Sequence, residues 1–298
     1  MKVTANIAKL PSGTIIDLPI YVFRSKEKGP VVLLSGGLHG DEINGIEIVR
    51  RLLEKSKFDK LLRGTVIAIP VMNIYGFLNF SRQVPDGKDI NRSFPGNSHG
   101  SLASRVANFL NRNILNQIDY GIDFHTGGAS RFNFPQIRYA AMDEKAEELA
   151  RAFAPPVILH SGLIDKSLRK QAHRLGKSMI VFEGGESMRL DEEIVIEGMN
   201  GALRVLQHLE MIDNITPHRG HESIVLTQST WVRAKASGIY TGLLRSGSTV
   251  NKRDTLGIIT DPFGEFKMRI KADRSGFIIG HNNMPVVNQG DALLHLGF

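Results

Sequence analysis

The chain has 298 residues, none of them cysteine, with 42% hydrophobic residues and a formal net charge of +7. That length holds one large domain, or a medium domain with a small one, and the lack of cysteine excludes disulfides and thiolate metal ligands. No apolar run approaches the roughly 20 residues of a membrane span, the amino-terminal MKVTANIAKLPSGT lacks the unbroken apolar stretch of a signal peptide, and the basic residues are scattered rather than gathered into a Lys/Arg run with interleaved aromatics.

A cytoplasmic protein with neither a membrane nor a nucleic-acid partner is therefore expected. Any metal site must be built from His, Asp or Glu.

The first ~210 residues alternate strand and helix signals. TIIDLPIYVFR reads as a strand and VVLLS as a short buried one. From Ile43 to Lys55, apolar residues fall at helical spacing: Ile43, Ile46, Val49 or Arg50, and Leu53. TVIAIP is another buried strand. Ser101 to Gln117 is a helix with Leu102, Val106, Phe109, Leu110 and Ile114 on one face. DYGIDF, VILH and SMIVFE are further strands. DEEIVIEGMNGALRVLQHLEMI is a helix whose acidic first turn suits the helix dipole. Buried runs between helices predict a mostly parallel α/β sheet covered on both faces.

The pattern changes near Asp213. DNITPHRGHES reads as a linker, and short alternating strands follow without a helix. The expected division is a domain at residues 1–214 and an all-β module at residues 215–298. The module carries a weak duplication. SGIYTG at Ser237 echoes SGFIIG at Ser275, and VNKRDTL at Val250 echoes VNQGDAL at Val287. Two such halves resemble the barrel-sandwich module of biotinyl and lipoyl carrier domains. The place of the acceptor lysine in those carriers falls near Glu265, and Lys267 comes two positions too late, so a carrier-like fold without carrier function is expected.

The chemistry starts at GGLHGDEINGIEIVRRL, Gly36 to Leu52. His39 and Glu42 stand where a strand turns into a helix, and ligands of open α/β sheets bind beyond the carboxyl ends of strands. Three residues apart on a first helical turn, the two lie on one side. Catalytic zinc takes three protein ligands and keeps a place for water. GIDFHTGG supplies His125 at another strand end. Asp123, two residues earlier on the strand, points the same way and can accept a hydrogen bond from a ligand histidine. His39, Glu42 and His125 are thus the expected ligands of one Zn2+ per chain.

Hydrolysis also needs a proton carrier. SMIVFEGGES offers Glu183 at the end of a third buried strand, with Glu186 the runner-up in the same turn. The connecting stretch SRQVPDGKDINRSFPG holds Arg82, Asn91 and Arg92. Arginine grips carboxylates through its planar fork. Arg92 with Asn91 suits a substrate carboxylate, and Arg82 suits the charge that develops on an attacked carbonyl. Spacing alone does not separate this set from a solvated loop.

Together these residues resemble the succinylglutamate desuccinylase/aspartoacylase family, relatives of the zinc carboxypeptidases. Four pieces stand in the family's order: GLHGDEING, DGKDINRSFPG, DFHTG and FEGG. The resemblance implies a zinc-carboxypeptidase-like three-layer α/β/α domain with a mixed sheet, followed by the small barrel-sandwich-like module. It implies that His39, Glu42 and His125 bind zinc, that Glu183 is the general base, that Arg82 polarises the carbonyl, and that Asn91 and Arg92 bind the substrate carboxylate. The implied substrate is a small N-acyl amino acid. Arg82 lies nine residues before Asn91 because the Pro85–Lys88 turn is longer than in aspartoacylases. The tyrosine that some relatives bring from the terminal module has only Tyr240 as a counterpart.

Two alternatives stand beside the deacylase: a metallocarboxypeptidase, and a non-catalytic metal- or ligand-binding protein on the same fold. The acyl group and the amine are open, as is a homo-oligomer.

Overall fold

A computed structural model describes residues 1–9, 13, 15–54, 58–213 and 220–298. The expected domain boundary at residue 214, most of the linker and the helix end at Lys55 lie outside the described residues.

Two antiparallel strands, β1 (Lys2–Lys9) and β2 (Ile15–Arg24), open the chain. The run VVLLS forms β3 (Val31–Gly36), which leads through a turn into α1 (Ile43–Glu54). Helix α1 buries Ile46, Ile48, Val49 and Leu52 and leaves Arg50 exposed, so Val49 takes the core position. Strand β4 (Thr65–Ile69) and the short α2 (Ile74–Leu78) follow. Ser101 caps α3 (Leu102–Leu110), and its hydroxyl accepts from the Ser104 N–H. The expected helix continues past Leu110 as a wider turn over Asn111–Leu115.

Strand β5 (Tyr120–Gly127) is buried along nearly its whole length, as a central parallel strand must be. Strand β6 (Arg131–Tyr139), helix α4 (Glu144–Phe153), β7 (Val157–His160), α5 (Leu168–Arg174), β8 (Ser178–Glu186) and α6 (Glu192–His208) complete this part. Asp191 caps α6 through the Glu193 and Ile194 N–H groups. Strand β6 has no clear signal in the sequence because Pro135 interrupts it. Its register with β8 shifts between Asn133 and Gln136, where the proline is accommodated.

The sheet runs β1-β2-β4-β3-β5-β8-β6, with β3, β4, β5 and β8 parallel and β6 antiparallel to β8. It is the expected mixed sheet. One face packs on α1, α4 and α6 through Ile48, Leu149, Val195 and Phe182. The other packs on α2, α3 and α5 through Tyr75, Ala107, Leu168 and Leu33. Three layers result, with the carboxyl ends of β3, β5 and β8 side by side.

The remaining strands are β9 (Ile224–Leu226), β10 (Ser229–Arg233), β11 (Gly238–Gly242), β12 (Thr249–Val250), β13 (Thr255–Thr260), β14 (Lys267–Lys271), β15 (Gly276–Asn282), β16 (Val286–Val287) and β17 (Ala292–Gly297). The sequence echo is visible in their pairing. Strand β12 of the first half pairs with β15 of the second, and β16 of the second pairs with β11 of the first. The module has its own core, including Val250, Leu256, Ile270 and Leu293. Glu265 lies exposed in the turn between β13 and β14. The module is also joined to the main sheet. Strand β15 pairs with β6, and β17 and β10 extend that sheet further.

Candidate active site

The turn after β3 starts with Gly37 at φ +57°, a left-handed conformation that suits glycine. Gly40 is required for another reason. A Cβ there would lie 1.9 Å from the Gly76 carbonyl carbon, so α2 can press onto the turn only if residue 40 has no side chain. His39 and Glu42 lie in this turn, before α1 rather than on its first helical turn, and the Glu42 N–H donates to the His39 carbonyl at 3.2 Å. Both side chains are buried.

Strand β5 brings His125 to them. His39 Nδ1 lies 2.7 Å from Glu42 Oε1, and His125 Nδ1 lies 2.8 Å from Glu42 Oε2. The Thr126 N–H also donates to Glu42 Oε2, at 3.1 Å. The three ligand atoms fall within 4.8 Å of one another. Behind them, His125 Nε2 meets Asp123 Oδ2 at 2.6 Å, and the Ser35 hydroxyl donates to Asp123 Oδ1 at 2.7 Å. His39 Nε2 faces Asp89 Oδ1 at 3.4 Å without making a hydrogen bond.

The electrostatics suit a cation. Burial opposes ionisation of Glu42, but the His39 and His125 rings outweigh it and hold the carboxyl well below its ordinary range. Burial also disfavours charge on the imidazoles, yet Glu42 and Asp89 raise His39, and Asp123 and Glu42 raise His125 well above its usual value. Arg82 is the guanidinium among these carboxylates. Its Nε donates to Asp89 Oδ2 at 3.0 Å, and its Nη1 lies 3.4 Å from Glu42 Oε1. One carboxylate, Glu42, two inward-facing imidazole nitrogens, and Asp123 and Asp89 behind the outer ring nitrogens fit a divalent metal.

Glu183 stands on β8 as the register partner of His125. Asn133 Nδ2 donates to its Oε2 at 2.8 Å, and Arg138 Nη1 lies 3.4 Å from its Oε1. Glu186 points elsewhere and accepts from Asn283 Nδ2 at 2.6 Å. Asn91 Oδ1 accepts from the Leu168 N–H at 2.9 Å, which leaves Nδ2 as a donating end without a partner among the described residues. Arg92 is exposed, and its Nη1 donates to the Asn91 carbonyl.

One cavity of about 820 Å³ is lined by His39, Glu42, His125, Asp123, Glu183, Arg82, Asn91 and Arg92. All eight residues singled out in the sequence therefore meet. Residues 28–209 match the family model for the succinylglutamate desuccinylase/aspartoacylase catalytic domain. The chain belongs to this family. The N-alpha-acetyl-L-2,4-diaminobutyric acid deacetylase of Halomonas elongata is 28% identical over 292 residues, covering 93% of this chain and 84% of that protein. A succinylglutamate desuccinylase/aspartoacylase crystal structure from Rhodobacter sphaeroides is similar over 100% of this chain and 94% of its own, with a TM-score of 0.89 and 27% identity. The product-bound ectoine utilization protein EutE (DoeB) from Ruegeria pomeroyi shares the fold, with a TM-score of 0.89 and 23% identity over 99% of this chain and 93% of its own.

This member of the desuccinylase/aspartoacylase family has further residues at or behind the cavity wall that the sequence did not single out. Asp89 sits inside DGKDINRSFPG, where its place before Ile90–Arg92 is a capping signal: its side chain accepts from the Asn91 N–H. Burial opposes its ionisation, but His39 and Arg82 hold its carboxyl well below the usual range. Arg138 and Asn133 come from β6, the strand hidden by Pro135. Arg169 lies in the first turn of α5, and Trp231 and His295 come from the C-terminal module. No local pattern announces these three. Tyr240 does not reach the site. It is buried in the module core, and burial pushes its phenol up to about 12.

Proposed function

We propose that the chain is a zinc-dependent hydrolase that cleaves the acyl amide bond of a small N-acyl amino acid. One observation carries this most: the buried His39–Glu42–His125 cluster opens into the same cavity as a separate carboxylate, Glu183, and an arginine without an acidic partner among the described residues, Arg92. The named activity of the Halomonas elongata relative supports the same class.

His39, Glu42 and His125 would hold the metal, with Asp123 and Asp89 orienting the rings from behind. Bound there, zinc supplies Lewis acidity, which makes water a nucleophile near neutral pH and polarises a carbonyl. Glu183 takes the proton from the attacking water and delivers it to the leaving amine nitrogen. Asn133 fixes one Glu183 oxygen, and the other, 3.4 Å from Arg138 Nη1, is the proton-carrying one. Arg82 donates to the carbonyl oxygen as negative charge develops. Asn91 Nδ2 and the Arg92 guanidinium hold the substrate carboxylate.

A cavity of about 820 Å³ closed on one side by Trp231 and His295 suits a small molecule better than a peptide. A cytoplasmic setting belongs to the same proposal; among the described residues no helix is long and apolar enough to cross a membrane. The test is turnover of N-acetyl amino acids against blocked dipeptides by zinc-loaded protein. Hydrolysis of the first set alone is expected. Preference for the dipeptides supports a carboxypeptidase, and inactivity on both supports a binding protein.

A further inference from the structure

The wall contributed by the C-terminal module has no part in the steps above. Pairing runs unbroken across it. Asn133 of β6 pairs with Gly280 of β15, Gly280 with His295 of β17, and His295 with Trp231 of β10. Direct cross-strand partners share a face, so Asn133, His295 and Trp231 form one row, and all three line the cavity. Gly280 adds no side chain to that row, and its neighbours close over it: a Cβ there would lie 3.0 Å from Asn133 Oδ1 and 3.4 Å from the His295 Cβ.

His295 is 7% exposed, and its Nδ1 is buried with no hydrogen-bond partner among the described residues. Its ring stacks on Trp231 with centroids 4.3 Å apart and planes 8° apart, which fixes its orientation. Burial, with Arg138 nearby, pushes His295 down to about 3, so the imidazole is neutral at any working pH. Nδ1 is closed off from the cavity, so the ring's other nitrogen, Nε2, which has no hydrogen-bond partner among the described residues, is the one a ligand on this wall can meet.

The charges nearby are positive. Arg131 lies over Trp231 at 6.0 Å. Arg169 has no acidic partner among the described residues, and one of its buried nitrogens is unpaired. Glu183 is already engaged by Asn133 and Arg138. The acid with a buried unpaired oxygen, Asp41, lies beside His39 and not on this wall.

We infer that His295 is a specificity-determining residue that hydrogen-bonds an uncharged or anionic oxygen-bearing group at the end of the substrate remote from the scissile amide. A substrate with an ammonium at that end is disfavoured. The side chain of 2,4-diaminobutyric acid, present in the name of the Halomonas elongata relative, is of that kind. The inference rests on the deacylase proposal for the identity of the substrate, but its test does not need turnover.

The experiment is calorimetric titration of zinc-loaded protein with glutamine, norvaline and 2,4-diaminobutyrate. Wild type is expected to bind glutamine about tenfold more tightly than either of the others, as expected when a site's hydrogen bond is met. In His295→Phe, which keeps a ring against Trp231, that preference should fall to within about twofold, and His295→Gln should restore part of it. If the Phe variant does not fold, the ranking in wild type and in His295→Gln decides. An unchanged preference in the variants, tightest binding of diaminobutyrate, or no binding of any of the three overturns the inference. Deacylation of the three N-acetyl derivatives is measured in parallel. The expected ranking without hydrolysis would overturn the hydrolase proposal and leave this one standing.

Discussion

His125 of β5 and Glu183 of β8 are register partners on adjacent parallel strands. Backbone hydrogen bonds of the sheet therefore set the spacing between an imidazole of the proposed metal site and the group proposed to move protons. Neither depends on a flexible loop for its position. Glu183→Gln keeps the shape and the Asn133 contact but cannot accept a proton. It should retain metal and lose activity by about 10²–10⁴-fold. Metal analysis with steady-state kinetics checks this, and near-normal turnover would remove Glu183 from its role.

Asp123 and Asp89 back the two candidate ligand rings from different elements, β5 and the loop before α3. Asp123→Asn should weaken metal affinity about 10–100-fold. Asp89→Asn should do less to affinity, since its contact with His39 is longer, and more to activity, since it also positions Arg82. Competition with a chromogenic chelator, beside turnover, separates the two effects.

Arg92 is exposed at the cavity without an acidic partner among the described residues. Arg92→Ala should raise KM for carboxylate-bearing substrates by about 10–100-fold with little change in kcat. Amidated analogues of the same substrates should show no such increase. An equal effect on both would count against carboxylate binding.

His295 offers a pH prediction. Its folded pKa, pushed down to about 3, lies below the unfolded value of about 6.5. Between those values the unfolded chain binds the extra proton, so this group's contribution to stability is lost as pH falls from 6.5 toward 3. At pH 4.5 the loss is on the order of 3 kcal/mol. Urea unfolding of wild type and His295→Phe at pH 7 and pH 4.5 isolates it. The variant should lose less stability over that interval, and parallel loss in both would contradict the assignment.

The residues legible in the sequence share a cause. His39, Glu42, His125 and Glu183 sit at ends of buried apolar runs, next to glycines, and both features are local. The three-layer main domain followed from the same runs. Asp89 was within reach of a capping signal but is two residues from the more conspicuous Asn91. Asn133 and Arg138 were hidden because Pro135 breaks the strand pattern of β6. Trp231 and His295 come from a module whose joining to β6 is a long-range pairing, which no spacing within either segment encodes. Tyr240 had the right residue type but faces the module's own core.

The central claim is that His39, Glu42 and His125 hold a catalytic metal. Metal content of purified wild type beside His39→Ala tests it most directly. About one zinc per chain in wild type, lost from the variant together with deacylase activity, is the predicted result. Wild type that takes up no metal when zinc is supplied, or a variant that keeps both metal and activity, would contradict it.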